Sequence, residues 1–316
     1  MCRDGVNSHS DVSCNTSTMN KLLTSIAVLL LSINCFGQNY WTKFQELSAK
    51  NDTTGQIKLL NEWETKNPND AELYVSYYNY YVQKSKKEEI HIEQQQKGEH
   101  SFQLNDSTGK VAGYMNDMVG YDNKNLLKGF EYIDKGISKF PNRLDMRFGK
   151  IYMLGEKENW RTFSDEIIKT IDYSNTNKNM WLWSENKPKP DAKNFMLGTV
   201  QAYILQLYNT NNDDLLENMK QISESVLKYY PDNVECLSDL SIVFMIRKEY
   251  DKALIPLLKA EKLSPTDFIV LNNIAEAYKR KGDKGNAIAY YEKVLKYGDT
   301  PAKEQANKII GDLNKK

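Results

Sequence analysis

Apolar residues near the carboxyl end of the chain recur in two series that are offset by 34 positions. The first series is Leu237, Leu240, Ser241, Phe244, Ala253, Leu257 and Ala260, and the second is Leu271, Ile274, Ala275, Tyr278, Ala287, Tyr291 and Val294. Within each series, large residues three and four positions apart form the stripe of an amphipathic helix, while small residues allow two helix backbones to approach closely. Each series therefore predicts a pair of packed helices.

The spacing within each series is large-x2-large-small-x2-aromatic, followed after a turn by small-x3-large. It resembles the tetratricopeptide repeat, whose period is also 34 residues. The resemblance implies a right-handed superhelix of helical hairpins that holds a peptide in a groove lined by the first helix of each repeat. Pro68, Pro141, Pro231 and Pro265 each end a predicted helix. Their separations of 73, 90 and 34 fit six repeats with insertions of 39 and 22 residues.

We therefore predict an all-α solenoid of about six helix-turn-helix repeats with a small β-hairpin insertion. The expected repeats are 38–69, 71–141, 142–173, 193–232, 234–267 and 268–300, with a loop at 174–192 and a capping helix at 301–314. Residues near 90 and 102 alternate between apolar and polar around a turn that contains Gly109, which is typical of strands. This alternation places the β insertion at 88–120, inside the second repeat.

A short apolar segment near the amino end indicates export. Residues 22–33 are apolar, follow the basic Lys21 and precede small residues, which is the pattern of a secretory signal peptide. They are too few to cross a bilayer as a helix, which needs roughly 20 residues. We expect translation to start at Met19 and cleavage to follow Gly37, giving a periplasmic or extracellular protein. The alternative is a lipoprotein anchored through Cys35.

Composition narrows the classes of partner and chemistry. Lys and Arg number 42 and Asp and Glu number 42, so the chain lacks the basic excess of a nucleic-acid-binding protein. A mean hydropathy of -0.65 argues against a polytopic membrane protein. Of the 4 cysteines, only Cys236 follows residue 37, so no internal disulfide is expected. We found no phosphate loop, nucleophile elbow or paired His–Glu motif after residue 37, and we predict no catalytic residue, metal or cofactor.

Candidate partner-binding residues are those that lie off the buried stripes of the predicted first helices, together with two loop tryptophans. They are Asn79 and Tyr80 in the second repeat, Trp181 and Trp183 in the loop, Glu235, Ser238 and Ile242 in the fifth repeat, and Ile269, Asn272, Glu276 and Lys279 in the sixth. Tyr80 could line a groove or pack against the β insertion. The tryptophans could fold back between repeats or anchor a partner. Glu235, Asp239 and Glu276 are expected to repel a terminal carboxylate.

The sequence therefore predicts a non-catalytic scaffold or adaptor of the bacterial cell envelope that binds a protein or peptide, with no membrane span after signal cleavage. The alternative is a carbohydrate-binding accessory or a hydrolase-type enzyme that uses the β insertion and the Trp181/Trp183 loop. A metal site would draw on His91, Glu93, Glu99 and His100, but their spacing matches no ligand signature. We expect these four side chains to be solvated, and their convergence in a cleft would favour the enzyme.

Overall fold

The computed structural model of the chain describes residues 39–96 and 100–315. The predicted signal segment, with Cys35 and Gly37, lies outside the described residues, and so does Glu99. The chain divides into two compact units, the first ending at Lys139 and the second beginning at Phe140. Among the described residues, no helix is both long and apolar enough to cross a membrane.

The described residues of the first unit form four helices and a sheet. The helices are α1 (39–49), α2 (Thr53–Lys66), α3 (Ala71–Ser85) and α4 (Asn123–Lys139). The Asp52 carboxylate accepts a hydrogen bond from the Gly55 amide at 2.8 Å and so caps α2 at its amino end. Helices α3 and α4 pack against each other although the sheet separates them in sequence, and the rings of Tyr77 and Tyr132 stack at 4.0 Å. They form the second helix pair.

The insertion is a three-stranded antiparallel sheet, which extends the hairpin expected from the sequence. Its strands are β1 (Lys86–Glu93), β2 (Ser101–Asn105) and β3 (Val111–Tyr121), in the order β1-β3-β2. Strands β2 and β3 form the hairpin, and β1 pairs with the other edge of β3. The register aligns Ile92, Met115 and Phe102 across the three strands.

The second unit is helical. Its helices are α5 (Leu144–Glu156), α6 (Trp160–Thr176), α7 (Ala192–Asn209), α8 (Leu216–Tyr229), α9 (Val234–Ile246), α10 (Tyr250–Leu263), α11 (Phe268–Lys281), α12 (Lys284–Tyr297) and α13 (Thr300–Lys315). Successive helices pair, and α6 packs on α8, α8 on α9, α10 on α11 and α12 on α13. The described residues thus contain six consecutive helix pairs followed by α13. The predicted all-α repeat fold is confirmed.

Packing in the last two pairs follows the 34-residue pattern. The small residues Ser241, Ala253, Ala275 and Ala287 are all fully buried, which lets the paired helices approach closely. Gly282 ends α11 in the left-handed region, with φ of 88°, where a side chain would be strained. The small residues were visible in the sequence because their spacing is local to one helix pair.

Candidate partner-binding surface

Helices α9 and α11 are the first helices of the fifth and sixth helix pairs. They lie in contact and carry residues predicted to bind a partner. Each helix begins at a capping side chain. Asn233 accepts a hydrogen bond from the Cys236 amide at 2.8 Å, and Asp267 accepts one from the Ile269 amide at 2.9 Å. These caps fix where each helix starts, and therefore which residues face outward.

Helix α9 contributes one exposed acid and two half-buried side chains. Glu235 is exposed, whereas Ser238 and Ile242 are half-buried. Residues 235, 238 and 242 follow the spacing of one helix face. Ile242 packs against the apolar cluster around Leu257 and Ile274, so part of its side chain belongs to the core.

Helix α11 contributes the most exposed apolar residue of the predicted set. Ile269 is 58% exposed, and Asn272, one turn further along, is half-buried. The Asn272 side chain makes no hydrogen bond within the described residues. An apolar surface and an amide with free donor and acceptor groups therefore lie on the same helix face.

Glu276 and Lys279 are paired with each other. The Glu276 carboxylate accepts hydrogen bonds from Arg280 Nε at 2.7 Å and from the hydroxyl of buried Tyr291 at 2.8 Å, and Lys279 Nζ lies 2.5 Å from it. Burial disfavours the charged form, but these three donors outweigh it and lower the pKa of Glu276 below its usual value. The carboxylate is thus neutralised within α11 and α12.

Asp239 is a buried acid. Gln201 Nε2 on α7 donates a hydrogen bond to its Oδ1 at 3.1 Å, and burial raises the pKa of Asp239 to about 7. Of the three acids expected to repel a terminal carboxylate, only Glu235 is both exposed and without a basic partner among the described residues. That expectation is corrected, because it treated Asp239 and Glu276 as open charges.

The predicted residues of the second repeat divide into one exposed and one buried side chain. Asn79 is exposed, but Tyr80 is only 4% exposed, and its ring lies edge-on to Tyr81 at 5.0 Å. The structure therefore corrects Tyr80 as a groove residue, because its ring is buried; packing of Tyr80 against the β insertion stays a prediction.

The two loop tryptophans also differ. Trp181 is 1% exposed and packs against the Tyr173 ring at 5.7 Å, with the Arg147 guanidinium 5.7 Å from its own ring. The hypothesis that Trp181 anchors a partner is therefore wrong, because the loop folds back into the unit. Trp183 is half-buried, with its ring edge-on to Phe195 at 5.3 Å. Its outer side is still accessible, so its role in binding stays a prediction.

Of the suggested metal ligands, Glu99 lies outside the described residues, and Glu93 is half-buried, which corrects the expectation that its side chain is solvated. His91 Nε2 lies 3.2 Å from Glu89 Oε2, with both side chains 46% exposed, and His100 is exposed. Across residues 39–96 and 100–315, no three His, Cys, Asp or Glu side chains are placed to hold a metal. Cys236 is buried, and its environment raises the pKa of the thiol above its usual value, which disfavours the nucleophilic thiolate.

Sequence reasoning missed an open cleft of about 550 Å³ formed by the end of α5, the start of α6 and α7. Trp160, Leu205 and Gln206 line it, and Leu205 is 51% exposed. A signal was present, because Leu205 lies off the buried stripe of α7 that runs through Val200 and Ile204.

Residues 269–297 match the family model of the tetratricopeptide repeat. This is the sixth helix pair, so the resemblance seen in its spacing is confirmed there. None of the curated protein sequences matches the chain significantly.

Three solved structures share its helical character at low sequence identity. YrrB, described as a TPR protein with an unusual peptide-binding site, is 14% identical, with 79% of this chain and 97% of that chain covered and a TM-score of 0.38. The C-terminal part of a TPR repeat-containing protein from Cytophaga hutchinsonii is 16% identical, with coverages of 86% and 95% and a TM-score of 0.40. PilW, a type IV pilus biogenesis factor, is 11% identical, with coverages of 85% and 97% and a TM-score of 0.37. At these values they carry no functional inference for this chain.

Proposed function

We propose that the chain is a non-catalytic binding protein that holds an extended segment of a protein partner along α9 and α11. One observation carries the proposal. Exposed Ile269 lies on the same helix face as Asn272, whose side-chain amide makes no hydrogen bond within the described residues. An apolar side chain of a peptide can pack on Ile269 while Asn272 bonds its backbone N–H and C=O. The match of residues 269–297 to a repeat whose first helices generally bind peptides supports this assignment.

Two of the three acids on these helices are compensated or buried, and exposed Glu235 is the exception. Glu276 is neutralised by Lys279 and Arg280, and Asp239 is buried with a pKa of about 7. The whole chain also has a formal charge of 0, so no net charge draws a charged partner toward it. We therefore expect recognition by shape and by neutral hydrogen bonds.

The test selects short random peptides displayed on phage against the immobilised full chain and measures binding of the enriched peptides by fluorescence anisotropy. Ile269→Glu should weaken binding about tenfold or more, because it places a charge where an apolar side chain packs. Asn272→Ala should weaken it by roughly 3- to 10-fold through loss of the amide.

Ile255→Glu on α10 is the matched control, because Ile255 is 72% exposed and the substitution adds the same charge. It should leave the affinity unchanged. Failure to enrich any peptide, or an equal loss in Ile255→Glu, would contradict the proposal.

We also propose that the chain is exported and acts as a scaffold or adaptor in the periplasm or at the cell surface. The apolar stretch at 22–33 after Lys21 supports export. Mass spectrometry of the protein recovered from the envelope tests this. A chain that begins at Gln38 supports cleavage after Gly37, a lipidated Cys35 supports the anchored alternative, and a chain that keeps residues 1–37 contradicts both.

A further inference from the structure

Aromatic rings pack between α5 and α7, and the open cleft at the end of α5 lies beside them. The Tyr203 ring of α7 lies edge-on to the Phe148 ring of α5 at 5.9 Å and to the Phe163 ring of α6 at 5.3 Å. Gly155 has no side chain, and a Cβ atom there would lie 2.9 Å from Gln206 Nε2 and 3.1 Å from Phe163 Cε2. The missing side chain thus makes room for the Gln206 amide. The cleft of about 550 Å³ has the size of a small-molecule site.

Apolar and neutral polar groups line the cleft together. The Trp160 ring is half-buried, and the fully buried Phe163 ring supports it edge-on at 5.5 Å. Leu205 is exposed. Gln206 is half-buried, and its side-chain amide makes no hydrogen bond within the described residues. An aromatic ring, an aliphatic side chain and a free amide are the kinds of group that hold and orient a small ligand.

The charged groups of the cleft are acidic. Glu156 and Glu158 line it and are both exposed, whereas no Lys, Arg or His is among the described residues that line it. Neither carboxylate forms an ion pair within the part of the chain that the structure describes. Lys157 and Arg161 are their neighbours in sequence but lie outside the lining. A ligand that carries a positive charge is therefore complementary to the cleft.

The helix ends around the cleft also favour a cation. Helix α5 ends at Glu156 and α7 ends at Asn209, so two carboxyl ends with their partial negative charge meet there. Of the three helices that form the cleft, α6 presents its amino end, at Trp160. Two negative ends against one positive end give the helix dipoles the same sign as the two carboxylates.

We propose that this cleft binds an organic cation, with a guanidinium or alkylammonium group over the Trp160 ring and paired with Glu156 or Glu158. A cation is attracted to the face of an indole, and a guanidinium also bonds a carboxylate at two points. Leu205 contacts the alkyl chain, and the Gln206 carbonyl accepts a remaining N–H. The cationic group belongs either to a free small molecule or to an arginine or lysine side chain of a protein, because the recognised chemistry is the same.

Solution NMR of the isotope-labelled full chain tests the proposal. Each tryptophan gives one indole N–H signal, and Trp160→Phe identifies the signal of Trp160 by its absence. The probe is butylguanidinium, and butylurea is the matched ligand of the same shape without the charge. Butylguanidinium should shift the Trp160 signal with a dissociation constant on the order of 1 mM. Butylurea should bind about fivefold more weakly or worse, because it lacks the charge.

Variants of the two acids test the pairing. Glu156→Gln combined with Glu158→Gln should weaken butylguanidinium binding about fivefold or more, because both charges are lost. Asp165→Asn, which neutralises an exposed acid of α6 outside the lining, is the matched control and should leave the affinity unchanged. Circular dichroism verifies each fold. If the double variant misfolds, Leu205→Lys replaces it and should weaken binding as much, because the added ammonium group pairs with the two acids.

A blocked tripeptide with a central arginine separates the two sources of the cation. Binding about tenfold or more tighter than that of butylguanidinium supports an arginine side chain of a protein, and equal or weaker binding supports a free small molecule.

Three results would overturn the proposal. They are a Trp160 signal that does not move at about 20 mM butylguanidinium, an equal response to butylurea, and an unchanged affinity in the variant that lacks both acids. Peptide binding at α9 and α11 is measured separately, so failure of either proposal leaves the other standing.

Discussion

At the scale of single residues, Asp239 shows how a side chain that reads as a surface charge can be a buried acid. Asp239 Oδ1 accepts from Gln201, but Asp239 Oδ2 and Gln201 Oε1 have no hydrogen-bond partner within the described residues. Burial favours the neutral form and raises the pKa of Asp239 from its usual value to about 7. At pH above 7, the folded protein therefore holds a poorly solvated charge.

The buried acid makes the free energy of unfolding depend on pH. Between about pH 4 and pH 7 the folded state keeps the proton that the unfolded state has lost, so stability falls as pH rises through this window. Asp239→Asn removes the ionisation and offers an N–H to Gln201 Oε1. We expect it to raise the free energy of unfolding by ~2–3 kcal/mol at pH 8 and to change it little near pH 4. Urea denaturation at the two pH values measures the difference.

The control is Glu292→Gln, a substitution of an exposed carboxylate on α12. It should shift the free energy of unfolding by less than about 0.5 kcal/mol at either pH. A gain in Asp239→Asn of the same size at pH 4 and pH 8, or a loss at pH 8, would show that Asp239 does not ionise in this way.

At the scale of elements, the segment between α6 and α7 is fixed by one buried arginine. Arg143 is fully buried, makes a two-point contact with Asp145 at 2.8 and 2.7 Å, and donates from Nη1 to Asn186 Oδ1 at 3.2 Å. The Leu144 amide donates to the carbonyl of Leu182 at 3.0 Å. These bonds hold the loop against the start of α5 and bury Trp181.

Truncating each of the two loop tryptophans should show which one stabilises the core, because the two substitutions should differ in their cost to the free energy of unfolding. Trp181→Ala should lower the free energy of unfolding by ~3–5 kcal/mol because it leaves a large cavity. Trp183→Ala should cost about 1–2 kcal/mol, because its half-buried ring loses the edge-on contact with Phe195 and the Lys189 ammonium that lies 5.0 Å from the ring. Urea denaturation of both variants gives the comparison. Equal costs would mean that the loop does not pack as described.

Trp181→Phe sharpens this comparison. The indole Nε1 of Trp181 has no hydrogen-bond partner within the described residues, so replacing the indole with a phenyl ring removes no internal hydrogen bond. We expect a cost below about 2 kcal/mol. A cost as large as that of Trp181→Ala would indicate that the nitrogen has a partner.

The elements that the sequence predicted well are those whose contacts are local. Equivalent residues such as Leu237 and Leu271 recur 34 positions apart and are both buried, so α9 to α12 could be read directly from the sequence. The pairing of β1 with β3 joins residues across a connection and a hairpin, and alternation alone does not specify which strands are neighbours. Trp181 is buried beside Arg147, which lies far away in sequence and gave no signal.

At the scale of the whole molecule, the candidate site was partly predictable. The period identified the outward faces of α9 and α11, including Ile269 and Asn272, because these positions lie off the buried stripe. It could not identify the environment of Asp239, because Gln201 lies in a helix pair whose pattern is weak. Nor could it show that Glu276 is satisfied by Tyr291, which requires the packing of α12 on α11.

The central claim is that the chain binds an extended peptide along α9 and α11, and a crystal structure of the full chain with a phage-selected peptide tests it most directly. The account predicts that an apolar side chain of the peptide packs on Ile269 and that the Asn272 amide bonds the peptide backbone. A peptide bound in the cleft beside Leu205, or on the sheet of β1 to β3, with α9 and α11 uncovered, would contradict it.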